Sequence, residues 1–218
     1  MAAPGWELLE PLSVADRDAL VGQARRRKFG KGEVVFHEGD PADTVHLVVS
    51  GHVFVRITTP QGDVATLRVI GPGGHFGEMA LVSGAPRLAT VRAVEGAETT
   101  VITADAFTAL RQKNRDVDRA LTEMMTAEVG RLSRQLVEAL YVPVPKRIRR
   151  RLLELDDMYS IEGQRSLPFT QEDIAGLAGT TRPTANKELM SLQDTGLITV
   201  GRGRIEVNDR AGLERRAG

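Results

Sequence analysis

The chain has 218 residues, room for one large or two small domains, and its 29 basic and 29 acidic side chains balance, so the whole molecule is no electrostatic trap for nucleic acid or membrane. It contains no cysteine, which excludes disulfides, thiolate nucleophiles, cysteine-ligated iron–sulfur clusters and cysteine-based zinc sites. No stretch is apolar and uncharged over the roughly 18 residues of a membrane span, and no basic start with an apolar run opens the sequence; a soluble, cytoplasmic protein is expected.

Residues 6–28, with Leu8, Leu9, Leu12, Leu20 and Val21 among charges, predict short helical pieces. Between residues 29 and 103 the pattern changes to short β-rich runs: Val34-Val35-Phe36, Val45 to Val49, Val53 to Ile57, Ala65 to Ile70, Ala89 to Val94 and Thr99 to Ile102. Glycines such as Gly32, Gly39, Gly51, Gly62, Gly77 and Gly96 separate them. Short strands at near-regular spacing with glycine turns predict an antiparallel sandwich or barrel.

From Asp105 the period becomes helical. Leu121, Met125, Val129, Leu132, Leu136 and Ala139 place one apolar stripe on a single helix over about residues 117–140, roughly 36 Å long at the α-helical rise. Such a stripe must pack on its own domain or on a second copy of itself, and the near-heptad step favours a helix pair. Tyr141-Val142-Pro143-Val144-Pro145 breaks the helix. A further helix over residues 146–158 turns Ile148, Leu152 and Leu155 inward. Its run Lys146, Arg147, Arg149, Arg150 and Arg151 reads as a solvated face or as a phosphate-facing one. From Pro143 onward there are 13 basic and 11 acidic residues, against 16 and 18 before it, so any basic footprint is local.

Thr170-Gln171-Glu172-Asp173 is a capped helix start. The helix runs to Ala178, Gly179 permits a left-handed turn, and Thr181 caps a second helix with Pro183 in its first turn. Helix, tight turn and capped helix have helix-turn-helix spacing. Arg182, Thr184, Asn186 and Lys187 lie in the half of the second helix that enters a major groove. Leu197 to Val200 and Ile205 to Val207 then flank Gly201-Arg202-Gly203-Arg204, a hairpin wing whose Arg202 and Arg204 suit phosphate contact. A small α+β fold without DNA would leave the basic tip and polar helix start unexplained.

In Phe76-Gly77-Glu78-Met79-Ala80-Leu81 to Pro86-Arg87-Leu88-Ala89-Thr90, bare amides and a carboxylate precede a guanidinium fork. Taken alone, Glu78 and Arg87 could be a salt bridge across a turn or the two ends of a cyclic-nucleotide site. The stretch resembles the phosphate-binding cassette of cyclic-nucleotide-binding domains, and Gly39-Asp40 with Gly51 is similar to their earlier signature. With the long helix and the winged helix, residues 10–210 resemble, in the same order, the CRP/FNR family of bacterial transcription regulators.

The resemblance implies an α+β protein: an N-terminal antiparallel β-roll (a double-stranded β-helix or jelly roll) over residues 1–110, a long dimerisation helix over 111–142 and a C-terminal winged helix-turn-helix over 143–218. It implies a homodimer that binds palindromic double-stranded DNA, works with RNA polymerase and is gated by a cyclic nucleotide, cAMP first. Gly77 and Glu78 would meet the ribose, Arg87 the cyclic phosphate and Ser133 the base. Met79, Ala80, Leu88 and Ala89 would complete the cassette. Arg182 and Lys187 fall on base-contacting positions, with Thr170, Gln171, Thr181, Pro183 and Thr184 beside them.

Three residues depart from the family pattern. Leu88 stands where a small or hydroxyl residue usually joins the phosphate, Leu132 where cAMP-responsive members place a threonine, and Pro183 where a glutamate is frequent. An effector-independent or differently gated member is therefore the alternative, and a cyclic-nucleotide module acting on a partner protein the next. His37, His46, His52 and His75 lack the close spacing of a preformed metal or haem site, so no metal, haem or iron–sulfur cluster is expected. No nucleophile elbow, P-loop or HExxH motif occurs, so no enzyme is expected either.

Overall fold

A computed structural model describes residues 5–160 and 166–217; the outermost residues of the expected terminal domains, 1–4 and 218, lie outside that range. The chain divides into two compact units: residues up to Ile57 with Leu67–Arg131, and Thr58–Thr66 with the residues from Leu132 onward.

The first unit opens with a 3-10 turn, Glu7–Leu9, and helix α1, Val14–Gln23. The Ser13 hydroxyl starts α1 by accepting from the Asp16 amide at 3.1 Å. Strands follow: β1 (Arg25–Phe29), β2 (Val34–Phe36), β3 (Thr44–Ser50), β4 (Val53–Thr58), β5 (Val64–Ile70) and β6 (His75–Phe76). After the short helix α2 (Glu78–Ser83) come β7 (Thr90–Ala93) and β8 (Ala97–Thr103), then helices α3 (Ala104–Lys113) and α4 (Arg115–Tyr141). The strands form two four-stranded sheets, in the orders β1-β8-β3-β6 and β2-β7-β4-β5, and β1 with β8, β3 with β8, β3 with β6, β2 with β7 and β4 with β7 pair antiparallel. The expected β-roll is present.

Residues 25–28, expected in a helical piece, form strand β1 instead. Their side chains are exposed and pair in register with β8 from Arg25 opposite Val101 to Phe29 opposite Ala97. The apolar pattern was absent because only Phe29 turns inward; a row of charges on an edge strand keeps it from pairing with another chain.

Phe29, Val48, Val53, Ile70, Phe76, Val91, Ala93 and Ala97 fill one core cluster of the roll. A second cluster joins Trp6, Leu8, Leu9, Val45, Leu47, Ile102, Phe107, Leu110, Val117 and Leu121, fastening the helices to the strands. The Trp6 indole N–H donates to the Val48 carbonyl at 3.0 Å, which satisfies its buried polar atom.

The stripe on α4 serves two purposes. Val117 and Leu121 are buried in the chain's own core, so they are withdrawn from the helix-pairing face expected to begin at residue 117. Further along, Val129, Leu132, Leu136, Val137, Leu140 and Tyr141 are exposed.

In the second unit, α5 (Val144–Ser160) follows α4 after only Val142 and Pro143. Strand β9 (Ser166–Leu167), α6 (Gln171–Ala178), α7 (Arg182–Asp194), β10 (Ile198–Gly201), β11 (Arg204–Val207) and α8 (Arg210–Ala217) complete it. The sheet order is β10-β11-β9, with β9 and α8 unforeseen from sequence. Ile148, Leu152, Leu155, Tyr159, Phe169, Ile174, Leu189 and Ile205 are buried, and the Tyr159 and Phe169 rings meet edge to face at 5.6 Å.

Most of the basic run on α5 is engaged within the protein. Arg147 is buried and donates to the carbonyls of Ala139, at 2.6 Å, and Gly179, at 3.2 Å. Arg149 pairs with Glu188 at 2.8 Å, Arg150 with Glu138 at 3.1 Å, and Arg151 with both Glu138 and Glu154. These arginines tie the last turn of α4 and the helix-turn-helix to α5, so the break at the prolines is a cross-braced joint.

Candidate functional site

The nucleic-acid half is built from capping chemistry. Thr170 and Asp173 form a reciprocal capping box: the Thr170 hydroxyl accepts from the Asp173 amide at 3.1 Å, and the Asp173 carboxylate accepts from the Thr170 amide at 2.7 Å. Gly179 ends α6 in the left-handed region, φ 59°, where a side chain would be strained. Thr181 then caps α7, with Pro183 in its first turn.

Ala185, Leu189 and Leu192 turn α7 inward at helical spacing. That leaves Arg182, Pro183, Thr184 and Lys187 exposed together at its N-terminal half, with Thr181 beside them and Asn186 half-buried. Thr170 is exposed and Gln171 half-buried at the start of α6. On the wing, Gly201 pairs with Arg204 in antiparallel register, leaving Arg202 and Gly203 as the turn; both arginines are exposed, and Arg204 has Glu206 at 3.8 Å. The arrangement offers a polar helix start and a cationic hairpin tip, the two means by which winged helices read base edges and grip phosphates.

The cassette lies in the first unit. Gly77 has φ 92°, and a Cβ there would sit 2.8 Å from Arg87 Nη1 and 2.9 Å from the Thr44 carbonyl, so glycine is needed both for the turn and for the close approach. Ala80 and Ala89 are buried, while Met79 and Leu88 are exposed. Glu78 and Arg87 do not pair as a simple bridge across the turn. Arg87 is 3% exposed and gives both Nη1 hydrogens to the carbonyls of Thr44, at 2.8 Å, and Gly77, at 3.0 Å. Its Nη2 donates to Asp43, at 3.1 Å, and to the Thr44 hydroxyl, at 2.9 Å, and the guanidinium lies 4.1 Å above the Phe36 ring. Only the Nε–H is without a partner. Without ligand, the Arg87 fork bridges β3, the Gly77 turn and β2.

Glu78 is nearly covered, and its Oε2 is sealed from solvent without a hydrogen-bond partner among the described residues. Burial pushes its carboxyl up, opposed by the charges of Arg68 and Arg87. His75 Nε2 lies 4.0 Å from Glu78 Oε1. On α4, Glu128 accepts from Arg131 at 2.5 and 2.7 Å, with Arg68 at 3.7 Å. Asp43, Thr44, Arg68, Glu128 and Arg131 stand in no motif of the sequence; the i,i+3 spacing of Glu128 and Arg131 is their one local signal. Ser133 is exposed on α4 and belongs to the other unit. Among the described residues no group of three or more His, Cys, Asp or Glu could hold a metal ion, and no helix is long and apolar enough to cross a membrane.

Two buried histidines are expected to make the roll acid-sensitive. His46 is lowered to about 3 and His75 to about 4, chiefly by burial, then by the cations Arg87 and Arg68 respectively. Unfolding restores both to the ordinary value of 6.5, so the unfolded chain binds more protons below that pH and stability falls as pH falls. Each contributes a slope of up to about 1.4 kcal/mol per pH unit; Glu78, raised by burial, works in the opposite sense. A net loss of about 1 kcal/mol between about pH 6 and pH 5 is expected from urea melts followed by the fluorescence of Trp6. His46→Gln should flatten it.

The comparisons with known proteins divide along the same lines. Residues 26–114 match the family model of the cyclic nucleotide-binding domain, and residues 146–216 match that of the Crp-like helix-turn-helix domain. The chain belongs to the CRP/FNR family. Over 96% of its length this CRP/FNR protein is 27% identical to the CRP-like cAMP-activated global transcriptional regulator of Mycobacterium tuberculosis, covering 94% of that relative. It is 29% identical to the Cyclic AMP receptor protein of Thermus thermophilus, with 96% of each chain covered. The crystal structure of a crp/fnr-family regulator from Eubacterium rectale shares the fold, with a TM-score of 0.77 at 23% identity over 96% of this chain and 97% of that one. The family consists of transcriptional regulators, not enzymes, and this member is a DNA-binding regulator with a cyclic nucleotide-binding domain.

Proposed function

We propose that the protein is a homodimeric regulator in which a cyclic nucleotide, cAMP first, enters the β-roll and sets two recognition helices for successive major grooves of a palindromic site. The observation that carries the reading is α4: its first turns are built into the roll's core, while its later turns carry the exposed apolar run from Val129 to Tyr141. A single helix therefore links the effector unit to a face that fits a second copy, as the near-heptad spacing requires. The similarity to the cAMP-activated regulator of M. tuberculosis and the Cyclic AMP receptor protein of T. thermophilus supports cAMP as the effector.

In this reading Arg182, Thr184 and Lys187 meet base edges, with Pro183 shaping the contact. Thr170, Gln171, Thr181, Arg202 and Arg204 meet phosphates. Gly77, Glu78, Met79, Ala80, Leu88 and Ala89 frame the nucleotide, Arg87 offers it one N–H, and Ser133 reaches the base. RNA polymerase is the expected further partner and the cytoplasm the expected place of work.

A second reading, an effector-independent regulator, is favoured by one observation: four of the five Arg87 N–H groups are already committed within the protein. Selecting a duplex from a random pool and measuring its affinity by fluorescence anisotropy separates the two. Gating predicts that saturating cAMP tightens binding at least tenfold, with affinity falling steeply as salt rises in both states. Equal affinity with and without cAMP or cGMP supports the second reading.

A further inference from the structure

The arginine of the cassette is held by a chain of hydrogen bonds that runs back into the core of the roll. Thr44 and His46 stand two apart on β3 and so share a face. The Thr44 hydroxyl has three polar neighbours: the Asp43 carboxylate at 2.9 Å, Arg87 Nη2 at 2.9 Å and His46 Nε2 at 3.3 Å. A hydroxyl has one hydrogen and two lone pairs. The carboxylate only accepts and takes the hydrogen, and the guanidinium only donates, so His46 Nε2 donates into the second lone pair. That assigns the tautomer: Nε2 carries the proton, and bare Nδ1 accepts from the Thr99 hydroxyl, 3.1 Å away.

The imidazole is fixed by packing. His46 is 1% exposed; its ring stacks nearly parallel on Phe76 at 4.9 Å and meets Phe29 and Phe36 at 6.2 and 6.1 Å. Burial, then the charge of Arg87, lowers its pKa to about 3, so the ring is neutral and does not repel the guanidinium. Asp43, by contrast, has a side chain 79% exposed, where water competes for its contacts. A guanidinium is planar, so pinning Nη1 on the Thr44 and Gly77 carbonyls and Nη2 on the Thr44 hydroxyl fixes the direction of the remaining N–H, on Nε. That N–H is sealed and has no partner among the described residues, a buried donor that calls for an acceptor.

We propose that His46 is a positioning residue for the effector: acting through the Thr44 hydroxyl, it orients the Arg87 Nε–H toward the cyclic phosphate without touching the nucleotide itself. The inference rests on the cyclic-nucleotide reading above and adds the residue that arranges the phosphate donor in advance, which spares binding the cost of ordering it.

Calorimetric titration of the full chain with cAMP and with cGMP tests it. His46→Phe keeps a stacking ring and removes the donor; Thr44→Val keeps the shape and removes the hydroxyl. Each should weaken binding of both nucleotides about tenfold, the cost of ordering one long side chain, because the cyclic phosphate is the group the two share. Thr44→Ser, which restores the hydroxyl, should bind within about twofold of wild type. The double variant should bind as weakly as Thr44→Val alone and no more weakly, since His46 acts through that hydroxyl, whereas independent structural losses would add. Long-range proton–nitrogen correlation spectra of the wild type should place the His46 proton on Nε2, a readout that holds even where His46→Phe fails to fold. Wild type that binds while His46→Phe binds equally well, losses that add in the double variant, or a proton on Nδ1 in place of Nε2 overturns the inference and leaves nucleotide gating standing. No binding by wild type overturns both.

Discussion

Arg87→Ala is expected to destabilise the β-roll by about 3 kcal/mol, because the part-buried carbonyls of Thr44 and Gly77 lose charge-assisted donors. Loss of packing against Phe36 adds to this. At a slope of about 2 kcal/mol per molar urea the midpoint should drop by roughly 1.5 M. Trp6, the single tryptophan, reports on this unit because its indole is anchored to β3 through Val48. A midpoint within about 0.2 M of wild type would show that the four bonds contribute little. The result also governs how ligand experiments are read: loss of nucleotide binding in this variant would follow from a loosened roll as readily as from a missing phosphate contact.

Leu136→Glu should convert the protein to a monomer while leaving each unit folded. Leu136 is 61% exposed within the chain, so the substitution costs the protomer at most about 0.5 kcal/mol. In a paired-helix dimer it sets two carboxylates into an apolar seam, where burying unpaired charge is prohibitive. Sedimentation should then show one protomer mass at micromolar concentration. Affinity for a palindromic duplex should fall at least about a hundredfold, since two half-sites are no longer engaged by one particle. Wild type sedimenting as a monomer, or a Leu136→Glu protein that still sediments as a dimer, removes the exposed stripe from the interface.

The helix-turn-helix was the most legible part of the chain because its signals are local. Thr170 and Asp173 form their cap within one turn, Gly179 carries its own backbone requirement, and Thr181 with Pro183 begins the next helix. No distant residue is needed to interpret them. The strands were legible from glycine spacing and apolar runs, except β1, where an edge position lets charges occupy nearly every residue.

The roles of the arginines were not legible. Arg87 and the α5 run have the composition of anion-binding groups, and a guanidinium bonds a carbonyl or carboxylate of its own chain as readily as a phosphate. The choice depends on which acceptors come within 3 Å, and those lie far away in sequence: Thr44 for Arg87, Gly179 and Glu188 for Arg147 and Arg149. By itself the sequence determined the class of fold, the order of its parts and the helix-turn-helix, because caps, turns and hydrophobic period act over a few residues. Only the tertiary structure decided which acceptors each arginine meets, because long-range packing sets the partners of a flexible charged side chain.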